Sequence, residues 1–304
     1  MIKKYRAVIL GDTQRGAFGH WLDLAFTRVP EVELIAIAVV APRWCDQRNP
    51  MILACVEADV KGIYLEKPIT QTLAHADQFL EACDRKGVKI AVDHWRAGGE
   101  VRLARAMIER GEIGRVQTIR GHGKADERSG GVDLMVLGTH VLDAMRYVAG
   151  AEVRWVHGHV SKNSRDVTRA DVFEGPDGIG LTAGSSLTAQ FSFANGVIGW
   201  FESIPIGKPQ AELKFPPGTH YLGIKVQGTE GILSLRYRSL HRYPRGLWMA
   251  GDEFGHWEKV RVPPWDELDV QTYYLHCHEF CVRACVGSIA PASSSPTQGE
   301  ASEY

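Results

Sequence analysis

Two basic side chains far apart in the chain stand where a proton could be handled. They are Lys67, in Gly62-Ile63-Tyr64-Leu65-Glu66-Lys67-Pro68-Ile69, and His140, in Leu137-Gly138-Thr139-His140-Val141-Leu142-Asp143. A lysine becomes a general acid or base once burial or a nearby cation brings its pKa from about 10.4 toward neutrality, and an imidazole titrates there unaided. The plain alternatives are a surface lysine and a structural histidine on an apolar helix. Two carboxylates bracket His140 in sequence. Asp133 precedes it by seven residues, close to two turns, and shares its face if the stretch is one helix. Asp143 follows it by three residues and could orient the ring. His94, Arg96 and Lys124 are further basic candidates, each also readable as a plain surface residue.

The elements that must carry these residues follow from periodicity. Ile63 to Leu65 reads as a short buried strand ending in Glu66 and Lys67, and an open parallel sheet binds ligands just beyond the carboxyl ends of its strands. Pro68 biases Lys67 toward extended backbone, so the chain does not roll on into the next helix. Ala7-Val8-Ile9-Leu10 reads as a first strand of the kind buried in a parallel sheet. After it comes Gly11-Asp12-Thr13-Gln14-Arg15-Gly16, a dinucleotide fingerprint with Thr13 at its middle glycine. Gly11 would make the tight turn, Gly16 would let helix approach strand, and the helix N-terminus offers N–H groups to a pyrophosphate. Phe18, Trp21, Leu22, Ala25 and Phe26 give that helix an apolar face. A second strand spans 33–40, but no acid stands at its tip to hold ribose hydroxyls.

Helices are expected over 50–60, 72–86 (Thr72 as cap, Gly87 as stop) and 100–110, with a strand at 88–92 leading into Asp93-His94-Trp95-Arg96. The second half changes character. Leu187, Ala189, Phe191 and Phe193 alternate, Asn195-Gly196 supplies a hairpin turn, and Val197, Gly199 and Phe201 alternate on the return. Further strands are expected at 153–160, 223–227 and 232–237.

Composition sets outer limits. The chain has 304 residues, 44% hydrophobic and 23% charged, which is ordinary for a globular protein with room for two domains. A formal net charge of -1 gives no case for nucleic acid or an anionic membrane surface. No apolar run approaches the roughly 18 residues of a membrane span, and six scattered cysteines do not make a secreted disulfide framework. After the basic start the apolar part, Ala7 to Leu10, is too short for a signal peptide and Gly11-Asp12 follows with no cleavage-type site, so a cytoplasmic protein is expected. Cys277, Cys281 and Cys285 form one helical stripe beside His276 and His278. The outer two would lie about 12 Å apart, too far for one ion. Buried apolar cysteines and no metal are therefore expected, with a zinc-stabilised interaction module as the competing account. Trp248, Trp257 and Trp265 suit either sugar stacking or packing.

In order along the chain, several stretches resemble the glucose-fructose oxidoreductase / inositol dehydrogenase (Gfo/Idh/MocA) family of nicotinamide-dependent sugar oxidoreductases. They are the Gly11–Gly16 loop with Phe18-Gly19-His20, Ala41-Pro42-Arg43, the stretch from Gly62 to Pro68, Gly111-Glu112-Ile113-Gly114-Arg115-Val116, and Gly130-Gly131-Val132-Asp133-Leu134 with Leu137 to Asp143. The resemblance implies an α/β fold. A shortened Rossmann-like parallel sheet would occupy 1–95, an α+β domain with an open, mostly antiparallel sheet 96–289, and a disordered tail 290–304. It further implies NAD or NADP held by Gly11, Thr13, Gln14, Arg15, Gly16, Pro42, Arg43, Glu66, Lys67 and His94. Hydride would pass to or from a carbohydrate or polyol, with Lys67 on the reacting hydroxyl, His140 as proton partner, and Asp133 and Asp143 nearby. A homo-oligomer through the second-domain sheet is also implied. Two departures stand out: about forty residues of the family's nucleotide domain, a little over one βαβ unit, have no counterpart, and the end is short. Val136 also occupies the place where many relatives carry an aspartate. These departures support an alternative, a catalytically silent protein that binds a sugar or a protein in the same crevice.

Overall fold

A computed structural model describes residues 4–11, 21, 22, 24–39, 45–207, 223–246 and 255–289. Strand β1 (Tyr5–Gly11) pairs in parallel with β2 (Val32–Val39). A second parallel pair, β3 (Gly62–Leu65) and β4 (Lys89–Val92), forms its own sheet. Among the described residues the shortened parallel platform is thus two small sheets, with no ladder between β1 and β3. Helix α1 (Cys45–Glu57) begins earlier than its apolar pattern suggests and carries Pro50 inside it. Helix α2 (Leu73–Lys86) has the expected ends: Thr72 accepts the His75 N–H at 3.2 Å, and Gly87 closes it at φ 67°. Ile52 and Val56 of α1, Phe79 and Cys83 of α2, and Leu65 form a dry core on β3 and β4.

Five antiparallel hairpin-type pairings cannot by themselves place β5 (Val116–His122), which sits at the centre of the larger sheet. It pairs in parallel with β11 (Ile198–Ser203) and antiparallel with β12 (Gly223–Gly228). Outward on one side lie β13 (Ile232–Arg236), β14 (Ser239–Tyr243) and β15 (Glu258–Val260); on the other lie β10 (Ser186–Phe193), β6 (Val153–Lys162) and β7 (Arg165–Asp166). One face of this nine-stranded sheet is covered by α3 (Gly99–Glu109) and α5 (Gly138–Ala149), preceded by the short α4 (Gly131–Val136). Ile119, Phe193, Phe201, Ile224 and Val226 point into that core, so alternation along each strand fixes which side is wet. The remaining pair, β8 (Val172–Glu174) and β9 (Leu181–Ala183), is a separate hairpin.

The last described helix, α6 (Val270–Ile289), returns over the first sheets. Val282 packs with Val29 and Val32, while Tyr273, Cys277 and Cys281 join the main core. A β-carbon at Gly62 would come within 2.7 Å of Ile289 and 2.8 Å of Cys285, so glycine there admits α6 against β3. No helix among the described residues is long and apolar enough to cross a membrane. The tail 290–304 lies outside the described residues.

Candidate active site

Strands β3 and β4 run side by side with Leu65 opposite Val92, so Glu66-Lys67 and Asp93-His94 leave the sheet at the same edge. The Asp93 N–H donates to the Leu65 carbonyl at 2.8 Å and carries the pairing one step further. Buried Arg48 of α1 clasps the exit of β3, donating to the Glu66 carbonyl at 2.7 Å and to the Pro68 carbonyl. The peptide bond between Lys67 and Pro68 is cis. Lys67 reaches across to the second half of the chain, where its Nζ donates to the Val136 carbonyl at 2.7 Å. Val136 is the last residue of α4, and a helix C-terminus carries free carbonyls and partial negative charge that suit an ammonium. A backbone oxygen therefore meets Lys67 at the position where the resemblance would put a carboxylate.

His140 is 8% exposed and its Nδ1 accepts the Trp95 N–H at 3.2 Å. That contact sets the tautomer: in the neutral ring the proton must sit on Nε2. Trp95 is itself fixed. Its indole N–H donates to Glu100 Oε1 at 2.7 Å, and its ring stacks on Tyr237 with centroids 5.1 Å apart. Glu100 also accepts the Tyr273 hydroxyl at 2.6 Å, tying α6 into the same knot. The ring of His94 stands edge-on to that of His140 at 5.6 Å. Burial pushes the His94 pKa below its ordinary value, Arg96 and Lys67 push the same way, and its Nδ1 is buried with no hydrogen-bond partner among the described residues.

The two aspartates near His140 have other work. Asp143 gives both oxygens to Arg96, accepting Nε–H at 2.6 Å and a second bond from Nη2. The ring of His140 is oriented by Trp95, not by Asp143 in these bonds, and Arg96 is drawn in as a clamp on the helix. The stretch from Asp133 to His140 is two helices that meet at Leu137; the Asp133 carboxylate turns to the Lys124 N–H and the His140 ring to the Trp95 N–H. Asp133 is fully buried and accepts the Lys124 N–H at 2.6 Å. Gly123 has no side chain to strike that carboxylate, which a β-carbon there would do. Burial pushes the Asp133 pKa up.

Behind the strand ends lies a group the sequence did not reveal. His278 of α6 is 0% exposed; its Nδ1 lies 2.8 Å from the Tyr64 hydroxyl and 3.6 Å from Asp93 Oδ1. Burial works against the charged form of Asp93, but the imidazoles of His278, His140 and His94 outweigh it and hold its carboxyl well below the usual range. Glu66 goes the other way: burial and the neighbouring Asp93 raise it. In sequence, His278 stood out only as part of the His/Cys run. The thiols of that run are buried, Cys277 beside Tyr273 and Glu100 and Cys285 against Gly62, and burial raises the pKa of each. Among the described residues no group of three His, Cys, Asp or Glu side chains could hold a metal ion.

Gly11 closes β1, whereas Thr13, Gln14, Arg15, Gly16, Pro42 and Arg43 lie outside the described residues. Trp265 is buried against Tyr273, Trp257 is 39% exposed, and Trp248 is outside the described residues. A cavity of about 380 Å³ opens on the flank of α5, lined by His94, Thr139, Leu142 and Asp143 with Phe191 and Phe193.

Two family models match the chain: an oxidoreductase family with an NAD-binding Rossmann fold over residues 19–94, and a GFO/IDH/MocA C-terminal domain over residues 101–234. No curated protein matches it. Among solved structures it is similar to a levoglucosan dehydrogenase in complex with NADH and L-sorbose, at 19% identity and TM-score 0.67, covering 94% of this chain and 90% of that one. An oxidoreductase domain protein from Kribbella flavida is 18% identical with TM-score 0.62, covering 96% and 84%. An inositol dehydrogenase homolog from Azotobacter vinelandii, complexed with NADH and myo-inositol, is 16% identical with TM-score 0.60, covering 91% and 75%. At these identities the likeness is one of fold.

Proposed function

The chain belongs to the Gfo/Idh/MocA family of oxidoreductases, and from that premise we propose that it transfers a hydride between NAD or NADP and a carbohydrate or polyol. The observation that carries this reading is the convergence of Lys67 and His140 on one strand edge. Lys67 Nζ bonds the Val136 carbonyl, the next carbonyl along (Leu137) accepts the His140 N–H at 2.9 Å, and the His140 ring meets His94 from the edge where Lys67 emerges. A dinucleotide fits what this edge offers: strand ends with Glu66 and Lys67, and a buried His94 Nδ1 that has no hydrogen-bond partner among the described residues. Glu66, Lys67 and His94 would hold its nicotinamide end, and the nicotinamide supplies the hydride acceptor or donor. No acid at the tip of β2 is available to grip a ribose.

The side chains divide the proton work by their hydrogen bonds. Neutral His140 bears its proton on Nε2, so it donates a hydrogen bond to the substrate oxygen and steadies the negative charge that gathers there. Lys67, as the free amine, takes the hydroxyl proton on oxidation and, as the ammonium, returns it on reduction. Lys67→Met should therefore lower kcat by about 10²–10⁴-fold, the usual worth of a positioned acid or base. An unchanged kcat contradicts the assignment.

A second reading, a sugar binder without turnover, draws on the break between the two parallel sheets. The chain would assemble with copies of itself through the open face of the large sheet, on which Trp155 and Trp200 are 48% and 40% exposed.

A further inference from the structure

We infer that the substrate carries a carboxylate, as a uronate or an aldonate does, and that Lys124 receives it beside Lys67. The inference rests on the oxidoreductase reading and narrows its substrate class. Lys124 follows the end of β5 and is 4% exposed. Its backbone is clamped on both sides: its N–H donates to Asp133 at 2.6 Å, and its carbonyl accepts the Ser203 hydroxyl at 2.9 Å. Its ammonium, however, makes no hydrogen bond or ion pair among the described residues. The two lysines are linked through α4. Asp133 of that helix touches the Lys124 backbone, and Val136, one turn on, holds Lys67 Nζ. A turn advances about 5.4 Å, so the two cationic residues are attached to one short helix at neighbouring levels.

Neither nearby acid bonds the Lys124 ammonium. Asp126 accepts the Arg128 N–H at 2.9 Å and the guanidinium at 3.3 and 2.5 Å. Asp133 gives Oδ2 to the Lys124 N–H and keeps Oδ1 buried without a hydrogen-bond partner among the described residues; burial raises its pKa, which weakens it as a counter-charge. Burial lowers the Lys124 pKa to about 8, with the charges of Arg128 and Lys67 adding to the fall and those of Asp126 and Asp133 opposing it. An ammonium that has lost most of its water and gained no partner is unfavourable. The loss of hydration is incurred when the chain folds, so an arriving carboxylate gains the attraction of a pre-set cation. A sugar hydroxyl accepts a hydrogen bond but brings no charge to balance.

Binding should be measured on the whole protein, with and without NADH, by calorimetric titration with D-glucuronate and D-gluconate against D-glucose, and D-galacturonate against D-galactose. At pH 7 at least one acid should bind ten-fold or more tightly than its neutral counterpart. That preference should shrink as pH rises through and above 8, where free Lys124 loses its charge. Lys124→Met should bring the ratio close to one and Lys124→Arg should preserve it. Because replacing a lone buried cation by an apolar side chain of similar size need not destabilise the fold, a melting curve suffices to show that Lys124→Met is folded. Equal affinities in the wild type, no binding of any acid, or an undiminished preference in folded Lys124→Met each overturn the inference. Failure of NADH to bind in the same samples strikes the oxidoreductase reading instead, and the ratio without cofactor still reports on Lys124.

Discussion

At the scale of single residues, the proton on His140 is placed by a backbone amide. Trp95 N–H occupies Nδ1, and Trp95 cannot drift because Glu100 and Tyr237 hold its ring. His140→Asn should reduce kcat by roughly 10²-fold, the lower end of what a preorganised hydrogen-bond donor to a developing negative charge is worth, and steady-state rates at saturating substrate check this. Rates equal to wild type would remove His140 from the reaction. The placing of Lys67 just past a strand end and of His140 on a helix was legible in the sequence because each sits in a motif whose element is set locally. Their orienting partners were not. Asp143 has the right spacing to serve His140, yet Arg96, arriving from another element, captures both of its oxygens. Asp93 and His278 meet only because α6 folds back, which no local pattern announces.

Among the elements, the junction of β4 with α6 is where stability and charge are coupled. The folded pKa of Asp93 lies below its unfolded value near 3.9, so its contribution to stability is present above about pH 4 and is lost as pH falls toward the depressed folded value. Removing one partner of such a buried pair costs about 3–5 kcal/mol. Asp93→Asn should therefore lower the urea midpoint clearly at pH 6, and the gap to wild type should narrow at pH 3.5. A gap that does not narrow as the pH is lowered would show that Asp93 contributes no charge interaction. Most elements followed from periodicity and caps, as with Thr72 and Gly87 around α2 and the turn at Gly196 with φ 87°. The break at Leu137 did not: no proline stands between Gly131 and Asp143, a lone Gly138 does not stop a helix, and it is the contact of Asp133 with Lys124 that accompanies the division into two helices. Likewise α1 starts before Pro50, although a proline as the sixth helical residue forgoes one backbone hydrogen bond to the carbonyl four residues earlier.

For the whole molecule, the sheet presents one dry and one open face. On the open face Trp155 and Trp200 lie on the same side as Gln190, His157 and Arg120, as the pairings of β6, β10, β11 and β5 require. Large exposed aromatic side chains on a broad sheet suit a copy of the same surface. The double variant Trp155→Glu, Trp200→Glu should sediment as a monomer where wild type sediments as a larger species; identical sedimentation would place any assembly elsewhere. The two-part architecture was legible because runs of continuous apolar strands give way to alternating ones. The separation of β1–β2 from β3–β4 was not, since it depends on which strand edges meet.

The central claim is that Lys67 and His140 face a bound nicotinamide. The most direct test is to titrate the purified protein with NADH and with NADPH while following tryptophan emission, to which buried Trp95 contributes beside His140. Saturable quenching by at least one of them is predicted, and a lack of response to both up to millimolar concentration would contradict the account.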